Sequence, residues 1–207
     1  MYITYKLIIM KKLKLAVLAL FTLVAVSNVN AQDADNPWAF SLAVNAVDFD
    51  IHTGSDQIND FLGMADWNIS SSISKFTVEK YLDKGFTLQA AFSVNQLKDY
   101  GPGAIDGKYF ALDVNGKYDL NGLFGDTAWF DPYLLTGLSY TIVDFDAEDF
   151  SELMINVGYG FNFWLDDTVG ITYQSMLKNN LSNKVENHWQ HSIGVVFRFG
   201  GSSDDAN

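Results

Sequence analysis

The feature that most constrains this chain is an alternation of apolar and polar residues. Apolar side chains occupy every second position in eight segments of roughly ten residues each. Successive side chains of a β-strand point to opposite faces, so a period of two predicts strands with one apolar face. Six segments are regular: 38–46, 86–95, 110–118, 153–163, 169–174 and 189–199. Two are less regular: 70–82 and 132–142.

The connections between these segments alternate in length. Residues 83–85 and 165–167 form short connections, with 119–131 a longer third, and the other set comprises 50–66, 98–108, 143–151 and 178–188. An even number of strands with short turns at one end and longer loops at the other is typical of transmembrane barrels. A tilted strand of about 11 residues is about 28 Å tall, which matches the hydrocarbon core of a bilayer.

The polarity of the two faces distinguishes this fold from a soluble sandwich or a lipocalin-like barrel. The polar positions carry small residues (Gly, Ala, Ser, Thr, Asn and Gln), which suit the narrow interior of eight strands. The apolar positions carry large aliphatic and aromatic residues, which suit contact with lipid. The sequence therefore predicts an all-β fold, an eight-stranded antiparallel up-and-down transmembrane β-barrel over residues 37–200.

Aromatic residues cluster at the strand ends and predict two girdles at the membrane interfaces. One predicted girdle comprises Trp38, Tyr118, Trp129, Phe130, Tyr133, Phe163, Trp164 and Phe199. The other comprises Phe49, Trp67, Tyr109, Tyr140, Tyr173 and Trp189.

The first 31 residues have the pattern of a secretory signal peptide. Three lysines, Lys11, Lys12 and Lys14, precede an apolar run over 15–26, and a V-x-A site ends on Ala31. Cleavage there leaves Gln32 as the first mature residue. The run is short for a membrane-spanning anchor, which is the competing interpretation. Met10 is a candidate for the true start, and residues 32–36 and 201–207 are expected to be short segments outside the barrel.

Composition excludes several classes of function. The chain has no Cys, which removes disulfides, thiolate metal sites, a thiol nucleophile and lipidation as a lipoprotein. Its formal net charge of −12 argues against nucleic acid as a partner. No cofactor is expected.

The inward-facing positions include five ionisable residues of both signs: Lys75, Glu79, Asp113, Lys117 and Arg198. Lys75 and Glu79 lie on the second predicted strand and Asp113 and Lys117 on the fourth, strands that could be neighbours. Buried charges must be paired, so we expect a salt-bridge network that fills the lumen. The alternative is a gated, narrow ion path that forms when those pairs rearrange.

Catalytic and metal sites are not expected. The pair His191-Ser192 suggests a lipid hydrolase, but adjacent strand residues point to opposite faces and cannot form a nucleophile–base pair. Acidic residues surround the predicted outer loops, and Asp144, Asp146, Glu148 and Asp149 are the candidates for binding Ca²⁺. Their spacing matches no defined calcium loop, so solvated loop charge is the simpler interpretation.

The last strand, 193-IGVVFRFG-200, has alternating apolar residues and ends on Phe199, with Phe197 two positions before it. This pattern resembles the signal read by the outer-membrane assembly machinery. Together with Asp131-Pro132-Tyr133, residues 156–174 and residues 188–201, it resembles the N-terminal barrel domain of OmpA-type proteins in the version found in Bacteroidetes. Family members often continue into a peptidoglycan-binding domain. Here the chain stops at Asn207, so the cell-wall tether that the resemblance implies is not carried over.

The resemblance and the residues together predict a non-enzymatic protein of the cell outer membrane with a structural role in the envelope. The expected partners are outer-membrane lipid, lipopolysaccharide and the assembly machinery, and other outer-membrane proteins if the barrel is a subunit of a larger complex. The alternatives are a narrow gated porin and a surface adhesin or receptor that acts through its loops.

Overall fold

The computed structural model describes residues 36–49, 67–100, 105–125, 129–145 and 148–200. The predicted signal peptide, its cleavage site at Ala31 and Gln32, and the tail 201–207 lie outside these ranges. The strands are β1 (Trp38–Asp48), β2 (Asn68–Ile69), β3 (Lys75–Asp83), β4 (Phe86–Tyr100), β5 (Ile105–Asp119), β6 (Phe130–Phe145), β7 (Glu148–Trp164), β8 (Val169–Asn180) and β9 (His188–Phe199). A four-residue helix, α1 (Asn121–Phe124), joins β5 to β6. No helix in the described ranges is long and apolar enough to cross a membrane.

The eight long strands form one closed antiparallel barrel, which confirms the predicted fold. Each long strand pairs with the next along the chain, and β1 pairs with β9 from Trp38↔Phe199 to Asp48↔Trp189. Closure satisfies the backbone groups of the first and last strands, which otherwise form exposed sheet edges. We call the end that carries Trp38 and Phe199 the turn end and the opposite end the loop end.

The two faces of the wall have opposite polarity. Large apolar side chains point outward and are exposed, for example Val78 (50%) and Leu112 (51%). Polar side chains point inward and are buried, as Gln89 and Asn156 are. A soluble protein has the reverse arrangement, so this polarity fits a wall surrounded by hydrocarbon.

A tight hairpin at the turn end joins β3 to β4. Lys84 and Gly85 have φ angles of 50° and 81°, and Asp83 pairs with Phe86. Two consecutive positive φ angles are typical of a two-residue type I′ turn, whose twist matches that of the flanking strands. Glycine adopts this conformation without the steric cost that a side chain brings.

The segment predicted as one strand over 70–82 starts later than expected, and a separate two-residue strand precedes it. β3 begins only at Lys75, and the two residues of β2 pair separately with Ala46 and Val47. At this level Asn45 connects β1 to the residue before β3 and to β4: its Nδ2 donates to Ser74 Oγ (2.9 Å) and to the carbonyl of Val94 (2.9 Å). These bonds replace the regular ladder just before β3 begins.

Two of the predicted long loops are wrong. β4 and β5 are separated by residues 101–104, and β6 and β7 by residues 146–147, because the strands continue beyond the apolar band. The ladder pairs Lys108 with Asp144, and Asp144 with Asp149, without any apolar alternation. Backbone hydrogen bonds therefore extend the sheet where side-chain polarity gave no signal.

Three of the predicted girdle residues face the lumen instead. Tyr109, Tyr133 and Trp164 are almost completely buried. Each of them is adjacent to a residue that points outward (Phe110, Leu134 and Phe163), so the alternation of side chains places it on the inner face. They lie near the ends of the barrel, as expected, but on its inner side.

Candidate functional site: the filled lumen

An ion pair crosses the part of the lumen that is nearer the loop end. Lys178 Nζ on β8 lies 2.7 Å from Asp113 Oδ1 on β5, and both side chains are 0% exposed. Charges withdrawn from water in this way are stable only when they are paired and hydrogen-bonded.

A second ion pair lies closer to the turn end. Lys117 Nζ is 2.6 Å from Glu79 Oε2, and the ammonium also lies 3.9 Å from the centre of the Tyr133 ring. The ring face is electron-rich, so it adds a second favourable contact for the cation.

A chain of amide side chains connects the two ion pairs. Gln89 donates to Glu79 Oε1 (2.7 Å), and Asn115 donates to Gln89 Oε1 (2.9 Å). Asn156 then donates to Asn115 Oδ1 (2.9 Å) and to Asp113 Oδ1 (3.2 Å). The network is therefore continuous from Lys117 to Lys178 and fills the middle of the lumen.

Lys75 is the exception in this network. Its side chain is 2% exposed, and the hydrogen bond it donates goes to Ser192 Oγ at 3.5 Å. Within the described ranges, no carboxylate oxygen lies within 4.0 Å of its ammonium, although Asp113 and Glu79 act on it at longer range. The middle of the lumen thus holds three ammonium groups and two carboxylates.

An aromatic and apolar layer closes the lumen toward the loop end. Tyr109 Oη lies 3.0 Å from His188 Nε2, and the Phe49 ring lies 4.5 Å from the His188 ring. A cluster of buried side chains surrounds Tyr109: Val47, Leu97, Ala111, Val143, Met154 and Val185. This layer separates the charged network from the loop end.

A different set of contacts closes the turn end. Trp164 Nε1 donates to Asp131 Oδ2, and the Arg198 guanidinium carbon lies 4.2 Å from the centre of the Trp164 ring. Arg198 Nε also donates to the carbonyl of Asp167 (2.7 Å). Beside these contacts is a cavity of about 30 Å³, lined in part by Thr87, Lys117, Asp119 and Tyr133.

All five ionisable residues singled out from the sequence are buried on the inner face. The structure brings Glu79 and Lys117 together but places Arg198 apart, at the turn end. The strands that carry them, β3 and β5, are not neighbours as suggested, because β4 lies between them. The contact between Lys117 and Glu79 spans β4, whose Gln89 also donates to Glu79.

Sequence reasoning missed Lys178, the partner of Asp113. It was assigned to a loop because the apolar alternation stops after Tyr173. Lys178 continues the series of inward-facing residues at every second position of β8, which are Gly170, Thr172, Gln174 and Met176. This spacing could have identified Lys178 as a lumen residue.

His191 and Ser192 lie on opposite faces, as expected from their adjacency. His191 stacks on Trp67 and Trp189 on the outer wall, whereas Ser192 accepts the bond from Lys75 inside the lumen.

Three of the calcium candidates lie at the ends of strands. Asp144 on β6 pairs directly with Asp149 on β7, and Asp144 Oδ2 lies 4.0 Å from Lys108 Nζ. Glu148 begins β7, and Asp146 lies outside the described ranges. Among the residues with described positions, no group of three or more His, Cys, Asp or Glu could hold a metal ion.

The two aromatic residues of the expected assembly signal point outward at the turn end. The rings of Phe197 and Phe199 lie 4.8 and 6.1 Å from the Phe40 ring on β1, so they cover the seam where the barrel closes.

No protein-family model and no curated protein sequence matches the chain. Solved structures do. Pseudomonas aeruginosa OprG has a TM-score of 0.53 at 13% identity, covering 82% of this chain and 99% of OprG. Neisserial surface protein A has a TM-score of 0.51 at 14% identity, covering 80% and 98%.

The N-terminal β-barrel domain of P. aeruginosa OprF is also similar, with a TM-score of 0.49 at 14% identity, covering 78% and 97%. At these identities the likeness concerns the fold alone, and OprG and Neisserial surface protein A carry it. The chain has the closed eight-stranded fold of small outer-membrane β-barrels.

Proposed function

We propose that this protein is a non-enzymatic barrel of the cell outer membrane that contributes to the integrity of the envelope. The outward apolar band supports insertion in a bilayer. By analogy with outer-membrane barrels, whose short turns face the periplasm, the turn end is periplasmic and the loop end faces outward.

The observation that carries the structural role is the filled lumen. Two buried ion pairs and the amide chain between them occupy its middle, and Tyr109 and Trp164 lie in the layers that close its ends. Removing one partner of a buried pair costs about 3–5 kcal/mol, so a path for solutes is opposed by a substantial free energy. A sealed cylinder adds a rigid element to the membrane without making it permeable.

The envelope role is tested by depleting the protein in its native cells. We expect increased sensitivity to detergent and to large antibiotics, restored by the wild-type gene and by a variant with the 50–66 segment replaced. Unchanged sensitivity after depletion would rule out a structural role. Restoration by wild type but not by the replacement variant would instead favour the loop adhesin or receptor.

Export and assembly are part of the same proposal. The signal peptide directs the chain across the inner membrane, and the outward rings of Phe197 and Phe199 serve as the recognition signal for the assembly machinery. Sequencing the N-terminus of protein from the outer-membrane fraction should give Gln32. An N-terminus that retains the leader would contradict cleavage at Ala31.

A second candidate function rests on Lys75. Three ammonium groups for two carboxylates leave one cation that can exchange partners, and such exchange is a route to a narrow gated ion path. Planar bilayers containing the purified protein test it. Conductance steps that disappear in Lys75→Met favour the path, and their absence at all voltages rules it out.

The outer wall could also contact another outer-membrane protein. Purification in mild detergent distinguishes the two states: co-purifying outer-membrane proteins support a subunit of a larger assembly, and a monodisperse single barrel supports a lone protein.

A further inference from the structure

One region of the outer wall differs from the rest of the apolar band. Trp67, which precedes β2, stacks on His191 with ring centroids 4.1 Å apart and planes 12° apart. Trp189 is nearly parallel to the same imidazole, at 5.9 Å and 13°. Three flat rings therefore lie nearly parallel to one another, where the other strands present mainly aliphatic and phenyl side chains. We call this the ring patch; it comprises Trp67, Tyr173, Ser175, Trp189 and His191.

The ring patch contains polar atoms without a close partner. Ser175 lies directly opposite His191 in the β8–β9 ladder and is 0% exposed; its hydroxyl makes no hydrogen bond of normal length and interacts with the Tyr173 side chain at longer range. The indole Nε1 of Trp67 is also buried without a partner. Leaving such a group unsatisfied is unfavourable, and an outward-facing position could carry an apolar residue instead. Polar groups kept here at a cost indicate a ligand.

The position of the ring patch matches the polar boundary of the membrane. His191 is the fourth residue of β9, counted from the loop end, and Trp189 is the second. The β1 residue opposite His191 is Ala46, whose side chain is a single methyl group. Aromatic residues at this depth lie where lipid headgroups meet acyl chains.

The charge of the ring patch limits what it can bind. Asp48 lies opposite Trp189, and no Lys or Arg belongs to the patch. A phosphate group needs cationic partners and is disfavoured beside a carboxylate. A sugar ring offers a C–H face for stacking on aromatic rings and hydroxyls that accept and donate hydrogen bonds.

We propose that the ring patch binds the sugar portion of a glycolipid headgroup in the outer leaflet. A pyranose face stacks on Trp67 and Trp189, and its hydroxyls reach Trp67 Nε1 and Ser175 Oγ once the indole shifts. This proposal rests on the proposed outer-membrane function, since it requires the loop end to face a glycolipid leaflet.

The test is native mass spectrometry of the full-length mature barrel after incubation with rough-type lipopolysaccharide or with phosphatidylethanolamine. Wild type should retain lipopolysaccharide at least five-fold better than phospholipid. Trp67→Leu and Ser175→Val should remove most of that preference. Trp38→Leu is the matched control, because Trp38 also faces outward but lies at the turn end.

Two results overturn the proposal: equal retention of both lipids by wild type, or an equal loss in Trp67→Leu and Trp38→Leu. Resistance of the folded band to unfolding in cold detergent shows that each variant still forms a barrel. Ser175→Val keeps the result interpretable if Trp67→Leu does not fold. Failure to insert into any bilayer contradicts the proposed function itself, whereas insertion without preference for the glycolipid contradicts only this inference.

Discussion

Lys178 Nζ and Asp113 Oδ1 lie 2.7 Å apart in the lumen, on strands that are separated by β6 and β7. The pair joins opposite parts of the wall, and Asp113 also accepts from Asn156, which lies on β7. It is therefore a cross-brace of the cylinder as well as an obstacle within it.

Removing Lys178 should destabilise the barrel strongly. Lys178→Met leaves the Asp113 carboxylate buried without its cation, and we expect a loss of about 3–5 kcal/mol in the free energy of unfolding. Urea unfolding in lipid vesicles measures it. Lys108→Met is the control, since the exposed contact of Lys108 with Asp144 should be worth at most about 1 kcal/mol. Similar losses in both variants would contradict the cross-brace.

Replacing Lys75 should have the opposite effect. Lys75→Met removes a buried ammonium that lacks a close carboxylate, so the desolvation cost disappears while only one long hydrogen bond is lost. We expect unchanged or increased resistance to urea. A loss as large as that of Lys178→Met would show that Lys75 has a close anionic partner.

Glu152 should hold the turn between β8 and β9. Its carboxylate accepts hydrogen bonds from the backbone N–H groups of Leu181, Ser182, Lys184 and Val185. In Glu152→Gln the amide group places N–H donors against backbone donors, at a cost of about 1–3 kcal/mol. Hydrogen exchange at residues 181–185 should accelerate. Exposed Glu186 provides the control, and Glu186→Gln should leave the exchange rates unchanged.

The β3–β4 hairpin should tolerate a side chain poorly at Gly85. Gly85→Ala places a Cβ on a residue with φ of 81°, and we expect a loss of about 1 kcal/mol. Gly122→Ala in α1 has open space around the new Cβ and should be neutral or slightly stabilising. Equal midpoints of thermal unfolding for the two variants would argue against the type I′ turn.

The barrel could be predicted because one rule, the alternation of side chains, governs each strand. The same parity identifies Lys75, Glu79, Asp113 and Lys117 as inward residues. The alternation fails where an outward-facing position carries a polar residue. Ser175 interrupts the apolar outward face of β8, so the sequence predicts a loop at Lys178.

Pairing across the lumen could not be predicted from parity. Which inward cation meets which carboxylate depends on the register and stagger of eight strands, and sequence alternation carries no information about either. The late start of β3, at Lys75 instead of residue 70, has a similar origin, since the Asn45 bonds to Ser74 and Val94 are contacts between distant segments and leave no periodic signal.

The central claim is that apolar side chains face lipid and polar ones face a filled lumen. Because the chain has no Cys, single spin labels can be placed at four consecutive β6 positions, Leu138, Ser139, Tyr140 and Thr141, each changed to Cys in a reconstituted barrel. Collision with oxygen should be high at 138 and 140 and low at 139 and 141, while a water-soluble nickel complex should reach none of the four. Access of the nickel complex to 138 and 140, or the absence of any alternation, would contradict the account.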